Sequence, residues 1–514
     1  MNSLPRQNVE LTEQVETRAV AFIILAGAAV RVLSFFYSTN TGGDASARVA
    51  LTAAWLEHPD WRVIFDSYPP GHFWLIGAFA LLIHNVTLAG RLLSLLLGIG
   101  SLFVLWKLAR LVYGSAAALF SLVIFSLYSM HIAYSTTSSS EVSYLFFMLF
   151  SAWLLFSYLR QEAGALWKLA ASGILISISE SIRFEAWIIF LGLSLLLVAD
   201  IWNKWDRKQR FRVSQLFPLA VFGIAGGIWP AFMMWYCQRT FGDPMYLIDW
   251  TQVRVQHVLA TNHSPRAYEL LLMPGVLLLT LSPLALAAAL YGLVNSWTLP
   301  LQRSFAALVL FFFAVQNYQL FKGATVAVAR YTLTMGSLLA ILAGFGFDVL
   351  LRKMAPNRLR LAALALFVFM MANGLVILAL SEVPNRYADK FASVSPRLRY
   401  PTRVAEVGAY LKAHTSSEDA VVMDDYNAES IVLADASGIP MLSERAYQES
   451  RRNEITALQY IHTRHPRFLV YSSQGALRST LLLPESCSQD AAVEGVSFHC
   501  VLANQIYRIY QLSY

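Results

Sequence analysis

Apolar runs of about 20 residues recur along this chain, each long enough to cross roughly 30 Å of hydrocarbon as a helix. No other feature restricts the fold as strongly. Inside hydrocarbon every backbone N–H and C=O must be paired within the protein, so a spanning segment is a helix or part of a closed barrel. The runs fall near 19–38, 90–112, 115–134, 143–160, 168–181, 186–202, 216–236, 271–296, 304–317, 331–350 and 361–380, which predicts eleven membrane helices. Of the 514 residues 57% are apolar and 14% charged, against about a quarter charged in soluble domains. One water-soluble core is therefore excluded. The 18 residues before the first run are polar and carry Glu10, Glu13 and Glu16, unlike a short basic secretory leader, so that run reads as an uncleaved helix.

The stretch 71–83 follows Pro69-Pro70 and reaches His84 after 13 residues. It is too short to span and is expected to be re-entrant or surface-lying. The distribution of Lys and Arg supports that choice. With 71–83 left out, one set of alternate loops collects Lys107 and Arg110, Arg160 and Lys168, the basic cluster 204–212, Arg303, and the basic cluster 352–360. The other loops are longer and poorer in positive charge. The first set is therefore cytoplasmic and the second outer. The net charge of +7 is explained by topology and gives no reason to invoke nucleic acid.

Residues 1–380 form the membrane domain, and 381–514 a soluble α/β domain that this topology places outside. Residues 402–414, 427–436 and 453–464 read as helices and 420–424 and 467–472 as buried strands. The tail, 496–502 and 505–512, reads as a hairpin turning at Ala503-Asn504. The domain has no glycine-rich phosphate loop. Cys487 and Cys500, two of three cysteines, are expected to form a disulfide, because an outer compartment permits one.

Ionisable residues at membrane depth are costly and are functional candidates by default. Here they gather in the outer loops. The first loop carries Asp44 after Gly42-Gly43, then Tyr68-Pro69-Pro70-Gly71-His72. The second carries His131 and the run 135–140 before Glu141, and the third carries Arg183 and Glu185. The last carries Lys322, Arg330 and Tyr331. Singly, each has a plain alternative: Asp44 as a helix cap, Glu141 as a helix start, Arg183 with Glu185 as a structural ion pair, Arg330 as an interfacial anchor.

Taken in order, these residues resemble the GT-C membrane glycosyltransferases, within them the protein O-mannosyltransferase and aminoarabinose-transferase group, glycosyltransferase family 39. The resemblance rests on the glycine-flanked Asp44, Tyr68-Pro69-Pro70, the helix opening Arg91-Leu92-Leu93-Ser94, Glu141, Arg183-Phe184-Glu185 and Ala329-Arg330-Tyr331. Two departures bear on specificity. Ala45 follows Asp44 where a second acid is usual, and Tyr68 precedes the prolines where some relatives have Lys. The resemblance implies an α-helical polytopic fold with a periplasmic α/β domain, in a bacterial inner membrane. It implies inverting transfer of a sugar from a polyprenyl-phosphate donor to a glycolipid, polysaccharide or protein acceptor. Asp44 is then the base, with Glu141 beside it. Arg183, Lys322 and Arg330 face the phosphate, while Tyr68, His72, Glu185 and Tyr331 line the substrate site. A divalent cation, Mg or Mn, on Asp44 and Glu141 is an open option. A transporter should instead show paired broken helices and midplane charges. A non-catalytic sensor or scaffold would keep the fold and act through its outer domain.

Overall fold

The apolar runs become helices because nothing in them competes for the backbone, and where they stop, proline, glycine or a buried arginine explains the stop. The computed structural model describes residues 13–38, 43–57, 59–65, 68–160, 165–204, 216–261, 266–326, 328–354, 402–416, 419–423, 457–472, 489–504 and 507–514, with isolated positions between them. The membrane part opens with α1 (Glu13–Tyr37), α2 (Gly43–Glu57), α3 (Gly71–Ile83), α4 (Val86–Tyr113), α5 (Ser115–Ser126) and α6 (Ser129–Tyr134). It continues through α7 (Ser140–Arg160), α8 (Leu166–Ile182), α9 (Glu185–Lys204), α10 (Phe217–Gly226), α11 (Ile228–Phe241) and α12 (Tyr246–Thr261). It closes with α13 (Arg266–Leu281), α14 (Pro283–Asn295), α15 (Pro300–Phe321) and α16 (Thr332–Lys353).

Among the described residues six helices are long and apolar enough to span, or up to eight if each bent pair is one span. The expected eleven differ for identifiable reasons. The run 115–134 breaks into α5 and α6, α8 has only 17 residues, and most of 361–380 lies outside the described residues. The pair α10 and α11 is bent by 47°, and the pair α13 and α14 by 107°. Pro283 explains the sharper bend. It disfavours helical geometry at Ser282, whose φ is 82°, and Ser282 then caps α14 by accepting from the Ala285 N–H at 3.2 Å.

The helix α3, about 20 Å long at 1.5 Å per residue, is too short to cross. It is packed into the protein, with Gly71, His72, Phe73, Ile76, Gly77 and Ala80 buried. The most enclosed helix is α16, buried at every position from Thr332 to Asp348. Its approach to α14 needs glycine: a Cβ on Gly346 would meet the Ala288 carbonyl oxygen, and one on Gly292 the Leu342 carbonyl oxygen.

The break after α5 is made by Arg31 of α1, which is fully buried. Its guanidinium donates to the carbonyls of Ser126 at 3.0 Å, Phe125 at 3.3 Å and Gly27 at 2.9 Å, and lies 2.7 Å from His131 Nδ1. These carbonyls lose their helical partners where α5 ends, and the arginine replaces them.

In the soluble domain, α17 (Thr402–His414) and α18 (Ala457–Arg464) flank a sheet of β1 (Val421–Met423), β2 (Phe468–Ser472), β3 (Ala491–Val493), β4 (Val496–Ala503) and β5 (Tyr507–Ser513). The strand order is β1-β2-β5-β4-β3, with β1 and β2 parallel and the remaining pairs antiparallel. Alternation of side chains gives the sheet two buried faces. Val421, Phe468 and Val470 pack with Val407 and Leu411 of α17, and Val422, Leu469 and Tyr471 with Leu458 and Ile461 of α18. The short β3 is not evident in the sequence. It turns into β4 through Glu494 and Gly495, both at positive φ, as a two-residue hairpin requires. Cys487 and Cys500 are joined, with Cα atoms 5.2 Å apart. The expected helix 427–436 lies outside the described residues.

Ion pairs at the ends that the charge pattern marks as cytoplasmic join α4 to α1 (Arg110–Glu16, 2.8 Å) and hold the end of α16 (Arg352–Asp348, 2.8 Å). The assignment of sides predicts the reactivity of single cysteines. Trp61, 83% exposed, lies in the first outer loop, and the exposed Asn203 ends α9. Trp61→Cys is expected to react with an impermeant thiol reagent in intact cells and Asn203→Cys only after lysis. The opposite result inverts the topology.

Candidate active site

The first outer loop folds back on the bundle. Asp44 falls in the first turn of α2, where a carboxylate is favoured by the helix dipole; its side chain lies outside the described residues, as do Asp66 and Ser67. One turn on, Arg48 is buried, its guanidinium 4.5 Å from the Tyr68 ring centre and 5.4 Å from that of Phe73. Tyr68 exchanges backbone hydrogen bonds with Phe65 at 3.0 and 3.2 Å, and Pro69-Pro70 leads into α3. His72 in the first turn of α3 donates from Nε2 to the Ser138 carbonyl at 3.0 Å.

That carbonyl belongs to the hydroxyl-rich run before α7, whose members 135–140 are all buried. Small side chains let the run pass against α4, where a Cβ on Gly90 or Gly98 would strike Ser138 or Ser135. Arg91 of α4 fixes the run by donating from Nε to the Thr136 carbonyl at 2.9 Å. Its Nη2 reaches the carbonyls of Phe35 at 2.6 Å and Ser38 at 2.9 Å, at the end of α1. One arginine thus ties the root of the Asp44 loop to the segment that delivers Glu141.

Glu141, in the first turn of α7, meets residues from three other elements. Arg183, which caps α8, donates from Nη1 to Glu141 Oε1 at 2.7 Å and to Ser140 Oγ at 3.2 Å. From Nε and Nη2 it grips both oxygens of Glu185 at 2.5–3.1 Å. Arg330, in the 3-10 turn Ala329–Tyr331, brings Nε to 3.5 Å from Glu141 Oε1. The Tyr331 ring lies beside both guanidiniums, 5.3 Å from that of Arg183 and 5.5 Å from that of Arg330, and its face attracts cations. Two carboxylates and two guanidiniums thus meet where α7, α8, α9 and α16 begin or end. Glu141 Oε2 is buried and has no hydrogen-bond partner among the described residues.

Beside the cluster lies a cavity of about 270 Å³ whose walls include Glu185, Trp187, Gln252, Gln316, Gln319 and Tyr331. The structure does not bring Lys322 to the ions. It caps α15 in an exposed position, with Nζ 5.9 Å from the Tyr318 ring. A divalent cation fits Glu141 poorly, because two guanidiniums already lie within 3.5 Å of it. Among the described residues no three His, Cys, Asp or Glu side chains are grouped to hold a metal.

Residues 67–229 match the family model described as dolichyl-phosphate-mannose-protein mannosyltransferase, a stretch that holds Tyr68, His72, Glu141, Arg183 and Glu185. The structure of ArnT from Cupriavidus metallidurans bound to undecaprenyl phosphate superposes with a TM-score of 0.63 at 14% identity, covering 96% of this chain and 98% of that one. This chain has the GT-C fold. The oligosaccharyltransferase of Archaeoglobus fulgidus, tethered to an acceptor peptide, is a more distant likeness, with a TM-score of 0.51, 11% identity, and 90% and 69% coverage. No curated protein matches by sequence.

Within the GT-C fold, the residues that sequence reasoning passed over are Arg48, Arg91 and the cavity glutamines. The two arginines read as loop or helix-start charges, and only their burial against carbonyls and rings sets them apart. The cluster also makes a stability prediction. Removing Arg183 leaves two buried carboxylates facing each other, a loss of about 3–5 kcal/mol for a broken buried pair. Arg183→Ala is expected to lower the melting temperature of the purified protein. Adding Glu141→Gln and Glu185→Gln is expected to recover part of that loss. An unchanged melting temperature in Arg183→Ala would remove its bracing role.

Proposed function

We propose that this chain is an inverting glycosyltransferase that moves a sugar from a polyprenyl-phosphate carrier to an acceptor hydroxyl at the outer membrane face. The observation that carries the reading is the Glu141–Arg183–Glu185–Arg330 cluster, set beside a closed polar cavity at the end of the bundle where the Asp44 loop folds back. The likeness to a protein bound to undecaprenyl phosphate over 96% of the chain supports the donor class, as does a family description that names a dolichyl-phosphate sugar.

Inverting transfer is a single displacement. The acceptor oxygen attacks the anomeric carbon from the face opposite the phosphate, the carbon–oxygen bond to the phosphate breaks, and the lipid phosphate leaves with the electron pair. The acceptor proton passes to a base, for which we assign Asp44. The phosphate gains charge as it leaves and needs fixed cations nearby. Arg330 serves there, because a guanidinium binds two phosphate oxygens in one plane. All three nitrogens of Arg183 are engaged with Ser140, Glu141 and Glu185, so its role is to brace the two acids. Tyr68 and His72 shape the loop that carries the base. The lipid delivers an activated sugar, so the reaction needs neither a nucleotide nor a metal.

The test is transfer from radiolabelled polyprenyl-phosphate sugars in membranes. Asp44→Asn keeps a capping side chain, since Asn and Asp rank together at helix starts, but loses the basic oxygen. It is expected to lower transfer by ~10² or more, the scale of general-base catalysis. Transfer within a few-fold of wild type would remove Asp44 from the mechanism. Arg330→Lys keeps the charge and loses the planar fork, and is expected to weaken use of the donor. Unchanged donor use would make Arg330 an interfacial anchor.

A further inference from the structure

We propose that the cavity beside the ion cluster is the subsite for the donor's sugar, and that it takes an uncharged polyhydroxyl ring in preference to an amino sugar. The inference rests on the reading of a polyprenyl-phosphate sugar as donor. Size comes first. At about 270 Å³ the cavity falls just below the roughly 300–1,000 Å³ of drug-sized pockets, which suits one sugar ring and not a long isoprenoid chain. Position comes second. Glu185 and Tyr331 line the cavity and also contact Arg183, and Tyr331 lies beside Arg330. The phosphate is bonded through oxygen to the anomeric carbon, so a sugar whose phosphate meets Arg330 must lie next to it.

The chemistry of the wall then selects the ring. Gln316 donates its amide N–H to the Tyr331 carbonyl at 2.9 Å, and Gln252 donates to the Ala324 carbonyl at 3.1 Å. Those bonds fix the two carboxamides, with the oxygens left to accept from sugar hydroxyls. Gln319 and Thr325 add further neutral polar groups, and Trp187 and Tyr331 supply aromatic surface for the C–H face of a ring. The single carboxylate among the lining residues is Glu185, and Arg183 holds both of its oxygens. Across the neighbouring cluster two carboxylates balance two guanidiniums. No net negative charge is left to offset a buried ammonium, whose desolvation is costly without a partner.

The experiment measures binding to the full chain in lipid nanodiscs of three probes: undecaprenyl phosphate, the same lipid carrying a neutral hexose, and the same lipid carrying an amino pentose. The neutral-sugar lipid is expected to bind about ten-fold tighter than the bare lipid, the effect of one or two retained hydrogen bonds. The amino-sugar lipid is expected to gain nothing. Gln316→Ala and Gln319→Ala should each remove the gain and leave binding of bare undecaprenyl phosphate unchanged. The second variant guards against displacement of Tyr331 by the first, because Gln319 makes no side-chain bond to the Tyr331 segment among the described residues. Tighter binding of the amino-sugar lipid overturns the inference, as does a full gain retained in both variants or no binding of any probe. If the glutamine variants instead weaken only binding of a free neutral glycoside, the cavity belongs to the acceptor and the donor assignment is overturned. Selective binding of the neutral-sugar lipid without transfer to any acceptor would sustain the subsite and sink the transferase reading.

Discussion

The grip of Arg183 on two carboxylates is the interaction on which the rest of the site depends. Its backbone ends α8, its side chain holds the starts of α7 and α9, and through Glu141 it is coupled to the turn before α16. Four helix ends that have no other reason to converge are thereby fixed to within a hydrogen bond of one another. In a low-dielectric setting each of these charges alone would be expensive. Together they are neutral, so the arrangement tolerates burial only while it is complete. That makes Glu141 and Glu185 structural partners first, and limits which charges remain for substrate.

The arginines outside the cluster follow a different rule. Arg31 and Arg91 bond chiefly to backbone carbonyls, and both do so where a helix ends: Arg31 below α5, Arg91 beyond α1. A cation near hydrocarbon is tolerated when it replaces hydrogen bonds that a broken helix has lost. These residues therefore set where the chain leaves helical geometry, and so where the loops that carry Asp44 and Glu141 begin.

Much of this was legible in the sequence. Glu141, Arg183, Glu185 and Arg330 stand out because each is a charge at the margin of an apolar run, and the strands β1, β2, β4 and β5 because their alternation is regular. That the four charges touch was not legible, since contact between distant helix ends is a property of packing. Lys322 shows the converse: the same kind of signal at a loop margin, yet an exposed side chain set apart from the ions. The break after α5 was hidden because 115–134 is apolar throughout and the residue that stabilises it is Arg31, 95 positions away from Ser126. The cavity glutamines left no trace, because a carboxamide on a helix has no spacing that marks it.

The ion cluster has a consequence for how the protein is made. Glu141 enters the membrane system on α7, Arg183 and Glu185 on α8 and α9, and Arg330 only with α16, long after the others. Until that last helix is inserted, the early helices carry an arginine flanked by two acids and lack the second cation that balances them. The bundle therefore has an unfinished, acid-rich stage during synthesis, and its final neutrality arrives with the helix that is also the most enclosed. A truncation before α16 yields a chain that is chemically as well as sterically incomplete, a ready mark for quality-control proteases of the membrane.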